Sequence, residues 1–210
     1  MQITLNNAIL DSIDTNINEY NDYLFNIKSF FHLKSGQEHY RLLIYLSSLF
    51  NDVNIFDIGT NEGASAMSLA TNKKNTVYSF DIVNLLPFDF SKKTNIKFNI
   101  GNIFSETNYK WLDLMLKSPL IFLDTAHDGT FERLCYQFLI DNKYNGILLL
   151  DDIHLNNPMK EFWNDIQTEK YDLTKYGHGC GTGMVIFDNS NEVILKSTTQ
   201  PLKQLGFLPS

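Results

Sequence analysis

The sequence predicts an α/β fold: a doubly wound, mostly parallel sheet of seven strands, with helices on its faces and a helical cover at the N-terminus. Three observations support this prediction. From Val53 onward, short apolar runs alternate with helical patterns, as they do in parallel sheets. The 210 residues, of which 43% are hydrophobic, suffice for one buried core. Glycines and acidic residues follow several of the apolar runs, where open sheets bind their ligands.

The first fifty residues are predicted to be helical. Apolar residues recur at steps of three and four from Leu10 to Phe31, which is typical of an amphipathic helix. A second helix is predicted to begin near Ser35, because Ser35 and Glu38 have the spacing of a capping box, and to continue to Phe50. We expect these two helices to cover the sheet.

The remainder of the chain is divided into strands and helices by its apolar pattern. Seven strands are predicted, over residues 54–58, 76–80, 96–100, 120–123, 146–150, 171–174 and 183–187. Helices are predicted over 64–70, around 111–115, and over 131–140 and 159–166, whereas the interval 82–95 contains Pro87 and is predicted to be a loop. We therefore expect one domain, residues 1–210, made of a cover (1–50), a core (51–188) and a tail (189–210) in which a short strand is expected.

The composition argues against several classes of partner. The net charge is −7 and basic residues do not cluster beyond short pairs, so no nucleic-acid partner is expected. No apolar run approaches the roughly 20 residues of a membrane helix, and the sequence does not begin with a secretory signal, so we expect no membrane partner and a cytoplasmic protein. Cys135 and Cys180 are expected to be reduced thiols. The sequence leaves open whether the protein forms a homodimer.

The strongest local signal is the strand-to-helix turn after Asp57. Gly59 and Gly63 lie in this turn, and a helix of small residues follows. Glycine lets a ligand approach the backbone, and a helix start presents free N–H groups. Asp81 ends the next strand, 24 residues after Asp57, and could accept hydrogen bonds from a ribose diol. These residues predict an adenosine-containing ligand; the alternative is that the glycines only permit a tight turn.

These residues resemble the first motif of the class I S-adenosylmethionine-dependent methyltransferases. Asp57, Gly59 and Gly63 match the family's Asp-x-Gly-x-x-x-Gly pattern, and Asp81 matches its ribose-binding acid. The resemblance implies a Rossmann-like methyltransferase fold, S-adenosylmethionine as the cofactor, and a place near adenine for Asn102, for which a simple turn role is the alternative. The dinucleotide-binding Gly-x-Gly-x-x-Gly pattern is absent, which disfavours a nicotinamide-dependent oxidoreductase.

Two further strand ends carry polar clusters. Asp124 and His127 follow one apolar strand, and Asp151 and Asp152 follow another, 27 residues later. Because neighbouring parallel strands end at the same crevice, we expect the three carboxylates to converge there, with Asp124 also near the cofactor. Converging carboxylates repel each other unless a cation neutralises them, and oxygen-only ligands favour Mg²⁺. The alternatives are that the aspartates cap the following turns or helices and that His127 is an ordinary loop histidine.

This second arrangement resembles that of metal-dependent O-methyltransferases that act on small molecules, including catechols and antibiotic sugars. The resemblance implies that Asp124, Asp151 and Asp152 bind the metal and that His127, as a neutral imidazole, accepts the proton of the attacking hydroxyl. We therefore predict metal-assisted O-methylation of a small-molecule acceptor such as a sugar. The alternatives are a metal-independent O- or N-methyltransferase with His127 as base, and a non-catalytic nucleotide-binding module of the same fold.

The other histidines carry weaker signals. His154 follows the acidic pair and is expected to be structural, with catalysis as a reserve role. His178 lies among four glycines in the segment 176–183, two residues before Cys180, and we favour a substrate-contacting lid or hairpin turn there over a metal site. His39, on the second predicted helix, is expected either to touch the cofactor or substrate from above or to be exposed.

Overall fold

The computed structural model describes residues 1–14, 34–86, 95–188 and 192–196. The strands are β1 (Gln2–Leu5), β2 (Asn54–Ile58), β3 (Thr76–Asp81), β4 (Ile96–Ile100), β5 (Leu120–Leu123), β6 (Ile147–Asp151), β7 (Lys170–Asp172), β8 (Thr182–Ile186) and β9 (Glu192–Leu195). The α-helices are α1 (Asn7–Asp11), α2 (Lys34–Ser48), α3 (Ala64–Leu69), α4 (Leu112–Met115), α5 (Thr130–Asp141) and α6 (Asn157–Asp165), and a 3-10 helix at Glu106–Trp111 precedes α4.

Seven strands form one sheet in the order β4-β3-β2-β5-β6-β8-β7, which confirms the predicted doubly wound sheet. Strands β2 to β6 are parallel, whereas β8 is antiparallel to both β6 and β7. The chain runs outward from β2 to β4 and then returns to β5, on the other side of β2. The carboxyl ends of β2 and β5 therefore flank the switch point at which open sheets bind ligands.

Apolar side chains cover both faces of this sheet. Every residue of β5 and β6 is buried, because these strands lie inside the sheet and have helices on both sides. Phe122 and Leu149 belong to the core on the side of α2 and α3, whereas Ile121 and Leu148 belong to the core on the side of α5 and α6. The alternation follows from the two-residue period of a strand, and it holds the strand ends firmly in place.

The prediction of an all-helical N-terminus is wrong for its first residues. Residues 2–5 form β1, which pairs in parallel with β9, the short strand expected in the tail. Ile3 and Leu5 are fully buried in the core beside α2. A strand of four residues shows no clear period, and its partner lies at the other end of the chain, so the local pattern could not reveal it.

Of the two predicted N-terminal helices, the structure describes the second. α2 confirms that helix, but Ser35 lies inside α2 and is not its cap. The first is described only at its start, where α1 spans five residues and the Asn6 side chain accepts the Ile9 N–H. Residues 15–33, which carry most of the first apolar stripe, lie outside the described residues, as do 87–94 of the predicted loop and 189–191 and 197–210 of the tail.

Other differences concern the ends of elements. β3 and β6 each continue one residue further than predicted and so include Asp81 and Asp151. The helix predicted around 111–115 is a 3-10 helix followed by one α-helical turn. Within the described parts of the chain, no helix has both the length and the apolar character needed to cross a membrane.

Candidate functional site

The glycine turn after β2 is held by backbone hydrogen bonds to both neighbouring strands. The Gly59 N–H donates to the Phe80 carbonyl at 2.8 Å, and the Asp124 N–H donates to the Ile58 carbonyl at 2.9 Å. Gly59 has φ 93°, and a Cβ there would lie 1.5 Å from the Asp124 carbonyl oxygen. Gly59 is therefore required by the close approach of the Asp124 backbone, independently of any ligand. The turn itself thus needs Gly59, and contact of Gly59 with a cofactor stays a prediction.

Asp57 lies beneath the turn. Its side chain is fully buried, and Oδ2 accepts hydrogen bonds from the hydroxyls of Thr60 and Ser79 at 3.0 and 2.9 Å. Burial raises the pKa of Asp57 to about 6, although the hydroxyls of Ser79, Ser65 and Thr60 favour its charged form. These contacts stabilise the turn from below. Contact of Asp57 with a cofactor stays a prediction.

Asp81 stands at the end of β3 and is partly exposed. Its Oδ2 accepts the Asn61 N–H at 2.7 Å, and its Oδ1 accepts the Val83 N–H at 3.1 Å. The first contact holds Asn61 at φ 50°, a conformation that residues other than glycine seldom adopt. Each carboxylate oxygen keeps a second lone pair, so Asp81 can both shape the turn and accept ribose hydroxyls.

Asn102 stabilises a turn, as the alternative interpretation of this residue predicted. Its Oδ1 accepts the Phe104 N–H at 2.8 Å, as in an Asx turn, and its carbonyl accepts the Asn108 Nδ2–H at 2.9 Å. The side chain is exposed. Its contact with adenine stays a prediction.

The ends of β5 and β6 bring their carboxylates onto a shared histidine. His127 Nε2 lies 3.2 Å from Asp124 Oδ1 and 3.5 Å from Asp152 Oδ2. Asp151 Oδ1, in turn, lies 2.5 Å from His178 Nε2 and 3.7 Å from His39 Nδ1. The predicted carboxylates thus share one region of the sheet edge. The sequence interpretation missed the imidazoles of His39 and His178 as members of this cluster.

The charges in this cluster shift one another's pKa values. Burial, together with Asp151, raises the pKa of Asp124 to about 7 and also raises that of Asp152. Burial opposes ionisation of Asp151 as well, but the imidazoles of His39, His178 and His127 hold its pKa below the usual value. Asp151 is therefore the anion around which the cluster is arranged.

The histidines respond in opposite directions. Burial lowers the pKa of His127, but Asp124, Asp152 and Asp151 together raise it to about 9. The carboxylates therefore favour the imidazolium at neutral pH when no cation is bound, whereas the neutral imidazole was expected beside a metal ion and stays a prediction. His39 is only 6% exposed, and burial lowers its pKa to about 4 despite the nearby Asp151.

The backbone of His127 is held from two sides. Its N–H donates to Glu132 Oε1 at 3.0 Å, and its carbonyl accepts the Asn156 Nδ2–H at 2.8 Å. The Thr125 hydroxyl donates to the same Glu132 oxygen at 2.7 Å. His127 and Asp152 have φ values of 54° and 55°, which are uncommon for residues other than glycine and recur at functional sites. Specific contacts therefore maintain this loop conformation.

Helix capping does not explain the aspartates. The N-cap of α5 is Gly129, and the Asp128 side chain accepts the Thr130 N–H at 2.8 Å; α6 is capped by Asn156, whose side chain accepts the Met159 N–H at 3.0 Å. Asp124, Asp151 and Asp152 cap neither helix, so the helix-capping alternative is wrong for α5 and α6.

The glycine-rich segment before β8 folds back onto the end of β6. The N–H groups of Ile153 and His154 donate to the carbonyls of Gly181 and Cys180 at 3.2 and 2.8 Å. Gly181 has φ 98°, and a Cβ there would lie 2.7 Å from the His154 ring. This close approach brings His178 to Asp151, as a hairpin turn can. His154 Nε2 bonds to Asp172 at 2.7 Å, which agrees with its expected structural role.

Asp151 and Asp152, two of the three predicted metal ligands, come together with other residues and not as the predicted set. Among the described residues, two groups have ligand atoms within 4.8 Å of one another: His39 with Asp151 and His178, and Asp152 with His178 and Cys180. Asp124, Asp151 and Asp152 do not form such a group within those residues. The closest donor set is therefore imidazole and carboxylate, whereas the sequence interpretation expected oxygen alone.

Solved methyltransferase structures resemble this architecture. The SAH-bound methyltransferase PaMTH1 from Podospora anserina is 15% identical, with a TM-score of 0.60 over 84% of this chain and 89% of that one. A putative caffeoyl-CoA O-methyltransferase from Staphylococcus aureus is 14% identical, with a TM-score of 0.56 over 82% of this chain and 92% of that one. The O-methyltransferase TomG from Streptomyces achromogenes, in complex with SAM, is 13% identical, with a TM-score of 0.54 over 85% of this chain and 92% of that one. The chain has the class I methyltransferase fold.

The likeness is one of three-dimensional structure. No protein-family model and no curated protein matches the sequence. The class I methyltransferase fold accounts for the strand order and for the glycine turn at the switch point. It does not by itself identify a reaction, which must be argued from the side chains of the site.

Proposed function

We propose that the protein is an S-adenosylmethionine-dependent methyltransferase that methylates an oxygen of a small hydroxylated acceptor. One observation carries this proposal: the cluster around His127 lies at the same edge of the sheet as the glycine turn, joined to it by the Asp124 backbone beside Gly59. A methyl donor in the turn and an acceptor at the cluster would then be neighbours. Solved structures of this fold that contain SAH or SAM support the choice of cofactor.

The cofactor is proposed to lie across residues 59–63, with its ribose hydroxyls on the free lone pairs of Asp81. The N-cap of α3 is Gly63, which has no side chain to occupy the first N–H groups of that helix. Asn102 is proposed to lie near the adenine, and Asp124 near the transferred methyl group. Asp57 contributes indirectly, through the hydroxyls that hold the turn.

The chemistry assigned to the cluster is displacement at a methyl carbon. An acceptor oxygen attacks the methyl group as the carbon–sulfur bond breaks, and the electron pair stays on sulfur. The hydroxyl proton passes to Nε2 of unprotonated His127, which is the minor form at neutral pH because the neighbouring carboxylates raise its pKa to about 9. Asp124 and Asp152, at 3.2 and 3.5 Å from that nitrogen, stabilise the imidazolium as it forms, while the protein positions both substrates.

Participation of a metal in this reaction is a separate matter. A divalent cation beside the acceptor would polarise its hydroxyl as a Lewis acid. Mg²⁺ bound by Asp124, Asp151 and Asp152 stays a prediction, and the lack of convergence of their oxygens weighs against it. The second candidate function is metal-independent methyl transfer. It is favoured by the pairing of His127 and His178 with carboxylates, because these imidazoles can neutralise the negative charge for which Mg²⁺ was expected.

The first test is calorimetric titration of the full chain with S-adenosylhomocysteine. Micromolar binding supports the proposal, and transfer of labelled methyl groups to a panel of sugars and other hydroxylated compounds then identifies the acceptor class. Addition of EDTA to the active reaction separates the two candidates, because only the metal-assisted one loses activity. Folded protein that does not bind S-adenosylhomocysteine would overturn the proposal.

A further inference from the structure

We infer that His39, Asp151 and His178 form a binding site for a divalent transition-metal ion that prefers imidazole ligands, such as Co²⁺, Zn²⁺ or Fe²⁺. The inference concerns ion binding and does not depend on methyl transfer. It departs from the oxygen-only Mg²⁺ site that the sequence pattern indicated.

The geometry of the donors supports this site. Potential ligand atoms of the three residues lie within 4.8 Å of one another, and Asp151 Oδ1 is 2.5 Å from His178 Nε2 and 3.7 Å from His39 Nδ1. Ligands bound at about 2.0–2.2 Å from one ion are roughly 3 Å apart, so small side-chain shifts suffice. Two imidazoles and one carboxylate on one side of an ion form a facial arrangement that leaves other positions open.

A second observation points to a ligand at the same place. His39 Nδ1 is buried, faces Asp151 and has no hydrogen-bond partner in the described structure. Only 6% of His39 is exposed, so bulk water does not provide that partner. A buried polar nitrogen left unpaired is costly. An ion coordinated by Asp151 would supply the missing interaction.

The surroundings hold the His39 ring in position. The ring lies against Tyr40, Phe122 and His178, with centroid distances of 5.1, 5.5 and 5.0 Å. Phe122 belongs to β5 and α2 carries both His39 and Tyr40, so two packed elements fix the imidazole. A ligand that is already oriented loses little freedom when an ion binds.

His178 must exchange one contact for another. Its Nδ1 accepts the Cys180 N–H at 3.3 Å, so its Nε2 carries the proton shared with Asp151. When the metal binds at Nε2, that proton moves to Nδ1, so the imidazole stays neutral. The Cys180 amide must then turn away. Gly179, where an added Cβ would have no neighbour within 4 Å, gives the segment room to do so.

The ligand chemistry separates this ion from Mg²⁺. Mg²⁺ prefers oxygen ligands and gives up its waters reluctantly, whereas imidazole suits the later first-row divalent ions. Cys180 offers a thiol to the neighbouring group with Asp152 and His178, but it is exposed. Replacement of Cys180 therefore distinguishes the two groups.

The test is a titration of the EDTA-treated full chain with Co²⁺, followed by the visible absorption of the ion in the absence of S-adenosylmethionine. One ion should bind with micromolar affinity, and millimolar Mg²⁺ should not displace it. His39→Gln and His178→Ala should each weaken binding at least tenfold, whereas Cys180→Ser and the control Asp113→Ala, at an exposed position on α4, should leave it within about twofold. Because His39 is buried, circular dichroism compares the fold of His39→Gln with that of the parent protein. If His39→Gln misfolds, the variant of the partly exposed His178 provides an independent test.

Two results would overturn the inference. One is no saturable Co²⁺ binding by the folded protein, or displacement by equimolar Mg²⁺. The other is a loss in Asp113→Ala or Cys180→Ser that equals the loss in His178→Ala. Binding of S-adenosylhomocysteine is measured on the same samples, so failure of the metal site and failure of the proposed function give different results.

Discussion

His178 Nε2 lies 2.5 Å from Asp151 Oδ1, although the two residues are 27 positions apart. The contact joins the end of β6 to the glycine-rich segment before β8. It completes a cluster that contains Asp124 and Asp152 on one side and His39 on the other. The site is therefore assembled from four parts of the chain, and its parts can be tested separately.

Replacement of Gly59 tests the packing at the glycine turn. Gly59→Ala places a Cβ 1.5 Å from the Asp124 carbonyl oxygen and requires a positive φ from alanine, so we expect a loss of stability above about 3 kcal/mol. Gly179→Ala is the control, because a Cβ there meets nothing within 4 Å. Urea denaturation measures both. Equal stability of the two variants would contradict the crowding at Gly59.

Replacement of Asp81 tests the cofactor site. Asp81→Ala removes a charged acceptor from the edge of the turn and should weaken S-adenosylhomocysteine binding by about 10- to 100-fold, the range for a hydrogen bond to a charged group. Asp113→Ala, at an exposed position on α4, serves as the control. Calorimetry gives both affinities. An unchanged affinity for Asp81→Ala would remove this residue from the proposed site.

Replacement of Asp152 tests whether the cofactor and the acceptor bind at the ends of different strands. Asp152→Ala removes one of the two carboxylates beside His127 and should reduce methyl transfer at least tenfold. The affinity for S-adenosylhomocysteine should change by less than about threefold, because the turn contacts β3 and β5. A joint loss of turnover and cofactor affinity would show that the sites are not separable.

Glu132 is predicted to stabilise the loop that carries His127. Glu132→Ala leaves the His127 N–H and the Thr125 hydroxyl without their acceptor, which should cost about 1–3 kcal/mol. Glu132→Gln keeps an acceptor oxygen and should recover most of this loss. Glu161→Ala, at an exposed position on α6, should change stability by less than about 0.5 kcal/mol. Chemical denaturation compares the variants, and a fully stable Glu132→Ala would refute the role.

Asp57 should make stability depend on pH in the mildly acidic range. Its pKa is 3.8 as an ordinary carboxyl and about 6 in the folded protein, so the folded state binds the proton more tightly. The free energy of unfolding should therefore fall as pH rises from about 4 to about 6, by about 2 kcal/mol, and stay at the lower level above that window. In Asp57→Asn this contribution should be absent, and the variant should gain stability relative to the parent as pH rises. A difference that is constant between pH 4 and 7 would contradict the raised pKa.

The fold was largely predictable because its signals are local. Alternating apolar runs and helical periods identified the seven-stranded sheet, and the residues after each run marked its carboxyl edge. β1 could not be predicted, because four residues show little periodicity and the pairing partner β9 lies near the other end of the chain. Asp57 and Gly59 were correctly placed at the turn, but their contacts with Ser79 and the Asp124 backbone depend on neighbouring strands.

By itself, the sequence determined the sheet, its switch point and the carboxylates at the ends of β5 and β6, since a strand and the residue that follows it are local features. Only the tertiary structure decided which groups meet there. His39 comes from α2 and His178 from a turn that folds back on β6, and both reach Asp151 because the packing of α2 and the glycine-rich segment brings distant parts of the chain together. Those contacts raise or lower the pKa of each group in ways that no local pattern records.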